Sequence, residues 1–341
     1  MFASVPCIRI KTINCKRRKE YGALLRYVIR RLLLMIPVLL GVSLVIFTLL
    51  YFTPGDPVRM ILGDDASEAD IAEMREQLGL NGSYIERYVR YISNVLLHLN
   101  FGKSYVTGRE VSTEIVARYP TTIKLATAVI CVATAIAIPL GILSAIKQNS
   151  WVDNLTRILS LLGVSMPVFW IGLMNIILFS VILGWLPSSG FSTPKHWILP
   201  AVTIGFSAAG GIMRTTRSSM LEVIRQDYIR TARAKGASER TVIWKHALKN
   251  ALIPVLTVIG IRYGHNLGGS LVSEQVFGIP GLGKLMIDSI KSRDYPIVQG
   301  GVLLIAFAFS FINLLVDILY AFVDPRVKSQ YARGKKMGKS K

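Results

Sequence analysis

The chain has 341 residues, of which 52% are hydrophobic and 18% charged, and its net charge is +20. A soluble chain of this length usually carries about 25% charged residues, so the composition excludes an ordinary soluble domain. Lys and Arg concentrate before Leu32, between Arg214 and Lys249 and after Asp324, and long uncharged stretches separate these blocks. This distribution follows the positive-inside rule of membrane proteins and argues against nucleic acid as a partner.

Six stretches are apolar enough to cross a bilayer, since a spanning helix needs about 20 apolar residues. The sequence therefore predicts an all-α integral membrane protein with six transmembrane helices and both termini in the cytoplasm. The predicted spans cover residues 27–52, 121–146, 157–184, 198–213, 251–274 and 296–323. Residues 25–327 thus form the membrane domain, between a basic cytoplasmic extension at 1–24 and a basic cytoplasmic tail at 328–341.

An outer segment, residues 53–119, separates the first two spans. Proline and glycine at 54–57 end span one. Ser67 is typical of a helix N-cap and Gly79 of a helix end, so a helix is predicted between them. Pro167 predicts a kink within span three.

The second large segment, residues 214–250, is charged and lies on the cytoplasmic side. It is predicted to contain two helices joined at Gly236. The first runs from about Ser218 to Lys235, and Ser238 caps the second. From charge alone, two interpretations stay open: helices that lie on anionic lipid, or a docking platform for a soluble partner.

Residues Asp227–Gly236, followed by His246–Pro254, resemble the coupling loop of ABC-importer permeases, in the form found in the peptide and nickel branch. The general pattern of that loop is Glu-Ala-Ala, three residues, Gly, nine residues and Ile-x-Leu-Pro. Arg230 stands at the Glu position and Gly236 at the Gly position. His246 and Lys249 also depart from the general pattern, at the Ile and Pro positions, and the peptide branch tolerates all three departures.

Further strings that resemble this family occur in order along nearly the whole chain. They are Pro54–Pro57, Arg118–Thr122, Pro139–Gly141, Met166–Trp170, Leu186–Gly190, Glu274–Gly283, Arg293–Pro296 and Asp324–Val327. One such string would be weak evidence, whereas the ordered series is specific.

The resemblance implies a permease subunit that forms half of a pore in a bacterial or archaeal cell membrane. Its implied partners are a second related permease, two cytoplasmic ATPases, an extracytoplasmic binding protein and membrane lipid. No catalytic site, cofactor or metal is expected in this chain, because ATP hydrolysis belongs to the ATPases. The implied ATPase-docking residues are Asp227, Tyr228, Ile229, Arg230, Thr231, Ala232, Arg233, Lys235 and Gly236. Their basic side chains are expected to meet acidic groups, while Ile229, Ala232 and Ala234 offer apolar surface.

The resemblance implies a di- or oligopeptide as substrate, and a nickel or metal-chelate importer of the same branch is the alternative. A metal path would favour His, Met or carboxylate ligands, and His265 is the one histidine in the middle of a predicted span. A self-sufficient secondary transporter is an alternative of another class. It would often show inverted repeats, and no second half of the chain matches the first.

Arg262 and His265 lie within predicted span five. A charge inside the membrane is costly and marks a functional site by default. Arg262 either lines the translocation path, with His265 beside it, or pairs with an acid or a carbonyl.

A nucleotide-binding motif must also be considered at Gly278–Lys284, which matches the G-x-x-x-x-G-K of a P-loop. Leu285 stands where the motif needs Ser or Thr, and no strand is predicted before it. A tight turn on the outer side is expected instead.

Overall fold

A computed structural model describes residues 7–63, 65–268 and 271–323 of the chain, with side chains described from residue 26 to 319, except those of residues 60, 64, 269 and 270. The predicted tail at 328–341 and the string at Asp324–Val327 lie outside the described residues. The helices are α1 (Cys7–Phe52), α2 (Pro57–Leu62), α3 (Glu68–Gln77), α4 (Tyr84–His98), α5 (Val111–Ile146), α6 (Trp151–Ser165), α7 (Val168–Asn175), α8 (Pro194–Ile224), α9 (Asp227–Ala234), α10 (Glu239–Thr241), α11 (Leu248–Leu267), α12 (Leu271–Val276), α13 (Leu282–Lys291) and α14 (Tyr295–Val323). Two π-helical segments, Ile176–Ile182 and Val242–Ala247, continue α7 and join α10 to α11.

Five helical stretches are long and apolar enough to cross a membrane: Arg26–Phe52, α5, α8, Glu239–Leu267 and Tyr295–Leu319. A sixth crossing is formed if Trp151–Ser165 and Val168–Ile182 together make one span. The all-helical membrane architecture predicted from the sequence is therefore confirmed. We refer to these six in chain order as spans one to six.

The kink predicted in span three is confirmed, and the two halves meet at 104°. Met166 adopts an extended conformation, with φ −79° and ψ 135°, and ends α6. Pro167 explains this break, since a proline disfavours the helical conformation of the residue before it.

Several predicted boundaries are also corrected. Span two begins at Val111 rather than at residue 121, and span four continues to Ile224 rather than ending at 213. Charged residues limit how much of a helix lies in lipid but do not end the helix. Span five ends at Leu267, short of the predicted residue 274, and α12 is a separate helix beyond it.

The main core lies between spans two and four. Gly141 of span two packs so closely on span four that an added Cβ would lie 2.6 Å from the Cβ of Thr216. Small residues allow such close helix contacts in membranes. The buried core residues are Leu125, Val129, Ala133, Ala137, Leu199, Ile204, Ala208, Ala209, Ile212, Met213, Val255, Phe277 and Ile279.

Spans five and six are antiparallel, because Gly268 lies against Ile305 and Gly260 against Val316. The end of span six therefore lies at the same end of the molecule as the start of span five and the segment that precedes it. We call this the coupling end and the opposite one the distal end.

Span one also begins at the coupling end. The Arg31 guanidinium pairs with Asp317 of span six at 2.9 Å, and the Tyr27 hydroxyl donates to the same carboxylate at 3.0 Å. The start of span one and the end of span six thus lie at the same end of the molecule, as an even number of crossings requires.

Candidate functional site

The short helix α9 contains most of the residues that resemble the coupling loop. The prediction of one helix from Ser218 to Lys235 is wrong, because α8 ends at Ile224 and Gln226 is extended, with ψ 149°. After this break the chain changes direction and α9 starts at Asp227. The sequence contains no proline or glycine at this point, which explains why the break was not predicted.

The end of α9 matches the prediction. Gly236 has φ +81°, a left-handed conformation that suits glycine. Its N–H donates to the carbonyl of Arg233 at 2.9 Å, and the N–H of Ala237 donates to that of Ala232 at 3.2 Å. These two bonds form a Schellman motif. Ser238 then accepts from the Thr241 N–H and caps the next helix, as predicted.

Most of the implied docking residues are exposed on one surface of α9. The exposed set is Asp227, Tyr228, Arg230, Thr231, Arg233, Ala234, Lys235 and Gly236, and Ala232 is half-buried. Ile229 is an exception, since its side chain is completely buried. The expectation that Ile229 offers apolar surface to a partner is therefore wrong, because the chain's own core covers it.

Ile229 packs into a cluster that joins the ends of three spans, which we call the coupling-end cluster. Its buried members are Ile142, Ala145, Met220, Ile229, Val242, Ala247 and Ala251. Ile142 belongs to span two, Met220 to span four and Ala251 to span five. Ile229 of α9 is therefore part of one packed cluster with residues of three membrane helices.

The basic side chains of α9 differ in their partners. Arg233 makes two bonds to the carboxylate of Glu239, at 2.7 and 3.2 Å. This pairing raises the pKa of Arg233 and lowers that of Glu239. Arg230 makes only a 3.7 Å ion pair with Asp227, and both side chains are highly exposed. Lys235 has no ion pair within the described residues.

A buried ion cluster lies beside the coupling-end cluster and was not predicted. Asp153 of span three is fully buried and accepts from the Nε and Nη2 of Arg217, at 2.7 and 2.9 Å. It also accepts from the Ser144 hydroxyl at 2.6 Å and the Asn149 N–H at 2.9 Å. The cluster thus ties together the coupling ends of spans two, three and four. Its signal in the sequence is that Asp153 is the sole acidic residue between Glu114 and Glu222.

Arg262 and His265 lie against different helices. The half-buried guanidinium of Arg262 lies against span four, where a Cβ at Gly211 would be 2.8 Å from its Nη2. His265 is exposed, and its ring lies 5.2 Å from that of Phe309 in span six. Arg262 makes no ion pair within the described part of the chain. Both residues are far along span five from α9, so the two candidate sites are separate.

The glycine-rich loop Gly278–Lys284 binds an anion, but the anion is the chain's own Glu274. The Lys284 N–H donates to Oε2 of Glu274 at 3.1 Å, and the Thr122 hydroxyl donates to Oε1 at 2.8 Å. Burial raises the pKa of Glu274, while these hydrogen bonds and one from the Gly283 N–H oppose the rise. A Cβ at Gly281 would overlap this carboxylate, so the glycine is required for the approach. The carboxylate occupies the space that a phosphate would need.

Comparison with known proteins identifies related permeases. The family described as "Binding-protein-dependent transport system inner membrane component" matches residues 137–329, and its N-terminal counterpart matches residues 24–126. A dipeptide transport system permease protein of Alkalihalophilus pseudofirmus is 43% identical, over 89% of this chain and 100% of its own length. A glutathione transport system permease protein of Salmonella paratyphi A is 45% identical, over 89% of this chain and 99% of its own.

Among solved structures, the chain is similar to one of the MetNI methionine ABC transporter in an inward-facing conformation. The TM-score is 0.52 with 21% sequence identity, over 62% of this chain and 96% of that one. At this identity the likeness concerns the fold alone.

Proposed function

Because the chain belongs to the family of binding-protein-dependent transport system inner membrane components, we propose that the substrate it carries is a di- or oligopeptide. The chain is a permease subunit of an ABC importer, and ATP hydrolysis takes place on partner ATPases. A substrate-binding protein is a further partner that the family implies. The two relatives are named for dipeptide and glutathione transport, and glutathione is itself a small peptide. These names favour a peptide over nickel.

Uptake in proteoliposomes tests the substrate class. The complete importer, with its binding protein and ATPases, is supplied with ATP and either a labelled dipeptide or a nickel salt. Uptake of the dipeptide with none of nickel is expected. Nickel uptake without dipeptide uptake would contradict the proposal.

Helix α9 is the proposed contact with the ATPases. The main support for this proposal is that one side of α9 is exposed and the other is buried against the rest of the chain. Arg230, Tyr228 and Lys235 are exposed, while Ile229 holds the helix to spans two, four and five through the coupling-end cluster. A partner that pulls or pushes the exposed side therefore moves the spans directly. Arg233, bound to Glu239, fixes the shape of the loop rather than serving as a free cation.

The matched pair Gly236→Asp and Gly236→Asn tests this docking surface. An added Cβ at Gly236 would meet no atom within 4 Å, and both side chains tolerate the left-handed conformation better than most. The variants have nearly the same shape and differ in charge. If α9 meets acidic groups on the ATPase, the Asp variant loses ATPase co-purification and uptake, while the Asn variant largely keeps both. Normal uptake by Gly236→Asp would contradict the proposal.

We also propose that a second permease completes the pore and that Arg262 lines the path, with His265 beside it. An unpaired charge inside a bilayer costs several kcal/mol, and Arg262 has no counter-ion in the part of the chain that the structure describes. A water-filled path between two permeases would solvate it. Arg262→Gln is expected to change the relative uptake of acidic and basic dipeptides, whereas Arg262→Lys retains the preference. Unchanged uptake of both peptides would indicate a structural role.

The coupling end is proposed to face the cytoplasm, with both chain termini on that side. The support is the excess of Lys and Arg at this end and the position of the ATPases in the cytoplasm. Cysteine labelling from either side tests it: a cysteine at exposed Lys235 should react only with reagents that reach the cytoplasm. Labelling from the outside of intact cells would contradict this orientation.

A further inference from the structure

Helix α4 belongs to the predicted outer segment and packs along the distal half of span one. The Tyr84 hydroxyl lies 2.7 Å from that of Thr48, and the Tyr88 hydroxyl lies 2.9 Å from that of Ser43. Helix α4 and span one are therefore antiparallel, and α4 runs from the distal end toward the coupling end.

A basic cavity of about 320 Å³ lies between α4 and the distal end of span one. Arg87, Arg90 and Lys103 line it, and no acidic residue does. Arg87 stacks over the ring of Tyr51 at 5.1 Å. None of the three cations forms an ion pair within the described residues. The cavity therefore carries an uncompensated positive charge that favours an anion.

Tyr91 adds a second observation at the same cavity. Its side chain lines the cavity, and its hydroxyl is buried without a hydrogen-bond partner within the described residues. A buried hydroxyl that makes no hydrogen bond costs about 1–3 kcal/mol. A ligand with acceptor oxygens would supply the missing partner once the cavity wall that now covers this hydroxyl has moved aside.

A separate apolar groove of about 530 Å³ lies next to this cavity, nearer the middle of span one. Phe101 lines both spaces. Along span one, the basic cavity touches Phe47 to Tyr51 and the groove touches Ile36 to Leu40. At a rise of 1.5 Å per helical residue, the groove is about 16 Å deeper along span one. Along span six, where the cavity touches Tyr295 to Gln299 and the groove touches Gly300 to Phe307, it is about 10 Å deeper. An acyl chain that starts at the headgroup passes through this range of depths within one leaflet, which is about 15 Å thick.

We propose that the basic cavity and the apolar groove together bind one anionic phospholipid of the distal leaflet. The phosphate lies among Arg87, Arg90 and Lys103, where the Tyr91 hydroxyl donates to it, and an acyl chain lies in the groove. The arrangement matches an amphiphile in its orientation as well as its chemistry, because the charged part faces the interface and the apolar part faces the bilayer centre. The lipid also covers Leu96 and Leu99 of α4, which are 58% and 75% exposed in the isolated chain.

The site lies at the distal end, away from the proposed ATPase contact at α9. A free carboxylate or phosphate would satisfy the basic cavity but would leave the groove empty. An acidic surface of a protein partner would also satisfy the cavity without using the groove. Comparing an intact lipid with its headgroup alone therefore separates the phospholipid from these other anions.

The test measures binding to the purified full-length chain in a nonionic detergent, by thermal unfolding and native mass spectrometry. The probes are phosphatidylglycerol, phosphatidylcholine with the same acyl chains, and glycerol phosphate alone. Arg90→Gln and Lys103→Gln remove cavity charges, and Lys195→Gln is the matched control, since Lys195 is an exposed lysine outside the cavity. Arg87 is left unchanged because it also packs on Tyr51.

Phosphatidylglycerol is expected to bind and raise the unfolding temperature, while phosphatidylcholine and glycerol phosphate have much smaller effects. Each cavity variant is expected to bind phosphatidylglycerol about fivefold more weakly, which corresponds to the about 1 kcal/mol that one basic residue contributes at an anionic headgroup. The Lys195 variant should bind like the parent. Equal binding of both lipids, equal binding of glycerol phosphate, or cavity variants that bind like the control would each overturn the proposal.

Discussion

Asp153 provides the sharpest test of how the coupling end is held together. Its carboxylate is fully buried and accepts from two nitrogens of Arg217, the hydroxyl of Ser144 and the N–H of Asn149. Asp153→Asn keeps the shape of the side chain but removes the charge. It also replaces one acceptor oxygen with an NH2 group, which is a donor and would face the donors that now bind the carboxylate. The variant therefore disrupts this cluster without creating a cavity.

The magnitude follows from the burial of the partners. Breaking a buried ion pair costs about 3–5 kcal/mol, because the remaining charge loses its partner. The side chain of Arg217 is 21% exposed, so water partly solvates the orphaned guanidinium and the lower end, about 3 kcal/mol, applies. Asp227→Asn is the matched control. It breaks a pair whose side chains are 75% and 97% exposed, which is expected to cost at most about 0.5 kcal/mol.

Equilibrium unfolding of the full-length chain in mixed micelles measures both variants, together with Arg217→Gln and the double variant. Both substitutions remove the Asp153–Arg217 pair, and Asp153→Asn also removes the longer pair with Arg157 at 3.3 Å. The double variant should therefore be at least about 1 kcal/mol more stable than the sum of the single effects predicts. An Asp153→Asn variant within 0.5 kcal/mol of the Asp227→Asn control, or strictly additive effects of the pair, would refute the reasoning.

Three further predictions concern the distal loop and the helix contacts. Thr122→Val is expected to cost about 2 kcal/mol in unfolding experiments, because it leaves the Leu282 N–H and Glu274 without their shared hydroxyl; a stability equal to the parent would contradict the bridge. Burial raises the pKa of Glu274, so the folded chain holds this proton at pH values where the unfolded chain has released it, and stability falls as pH rises from about 4.3 through the folded pKa. Glu274→Gln should lack this part of the pH dependence, and a variant with the parent's profile would show that Glu274 does not cause it. Gly210→Ala should destabilise the chain by about 1–3 kcal/mol, because its Cβ would lie 2.5 Å from a backbone oxygen of span three. Gly41→Ala is the control and should be neutral or slightly stabilising, because its Cβ would have no atom within 4 Å. Similar effects of the two substitutions would argue against the close contact.

Much of the membrane architecture could be predicted, because apolar length and charge placement are properties of the sequence alone. The caps were predictable for a similar reason. Ser67 accepts from the Asp70 N–H and Gly236 adopts φ +81°, and in both cases local chemistry decides the backbone. The 104° break at Met166–Pro167 was not predictable in size, since proline indicates where a helix bends but packing on neighbouring helices sets the angle.

The site was less predictable, because its chemistry depends on contacts between distant parts of the chain. Ile229 reads as an exposed apolar residue in a charged segment, and only the approach of spans two, four and five explains its burial. Asp153 and Arg217 are 64 residues apart in sequence, so no local pattern pairs them. The contact between Glu274 and the glycine loop could have been predicted, since a loop that resembles a phosphate-binding loop can bind a nearby carboxylate instead.

Two kinds of contact hold the coupling end together, the cluster around Ile229 and the Asp153 cluster, and they have different mechanical properties. The coupling-end cluster around Ile229 is apolar and can slide between nearby packings at small cost, since its contacts are not directional. The Asp153 cluster is fixed by hydrogen bonds with definite geometry, so it holds spans three and four in one register. We therefore expect Asp153 and Arg217 to move with the spans as one body while α9 turns on Ile229. Ile229→Ala should then reduce uptake more than ATPase co-purification, because it loosens the transmission and leaves the exposed side of α9 in place. An equal loss of both would instead indicate that Ile229 maintains the docking surface itself.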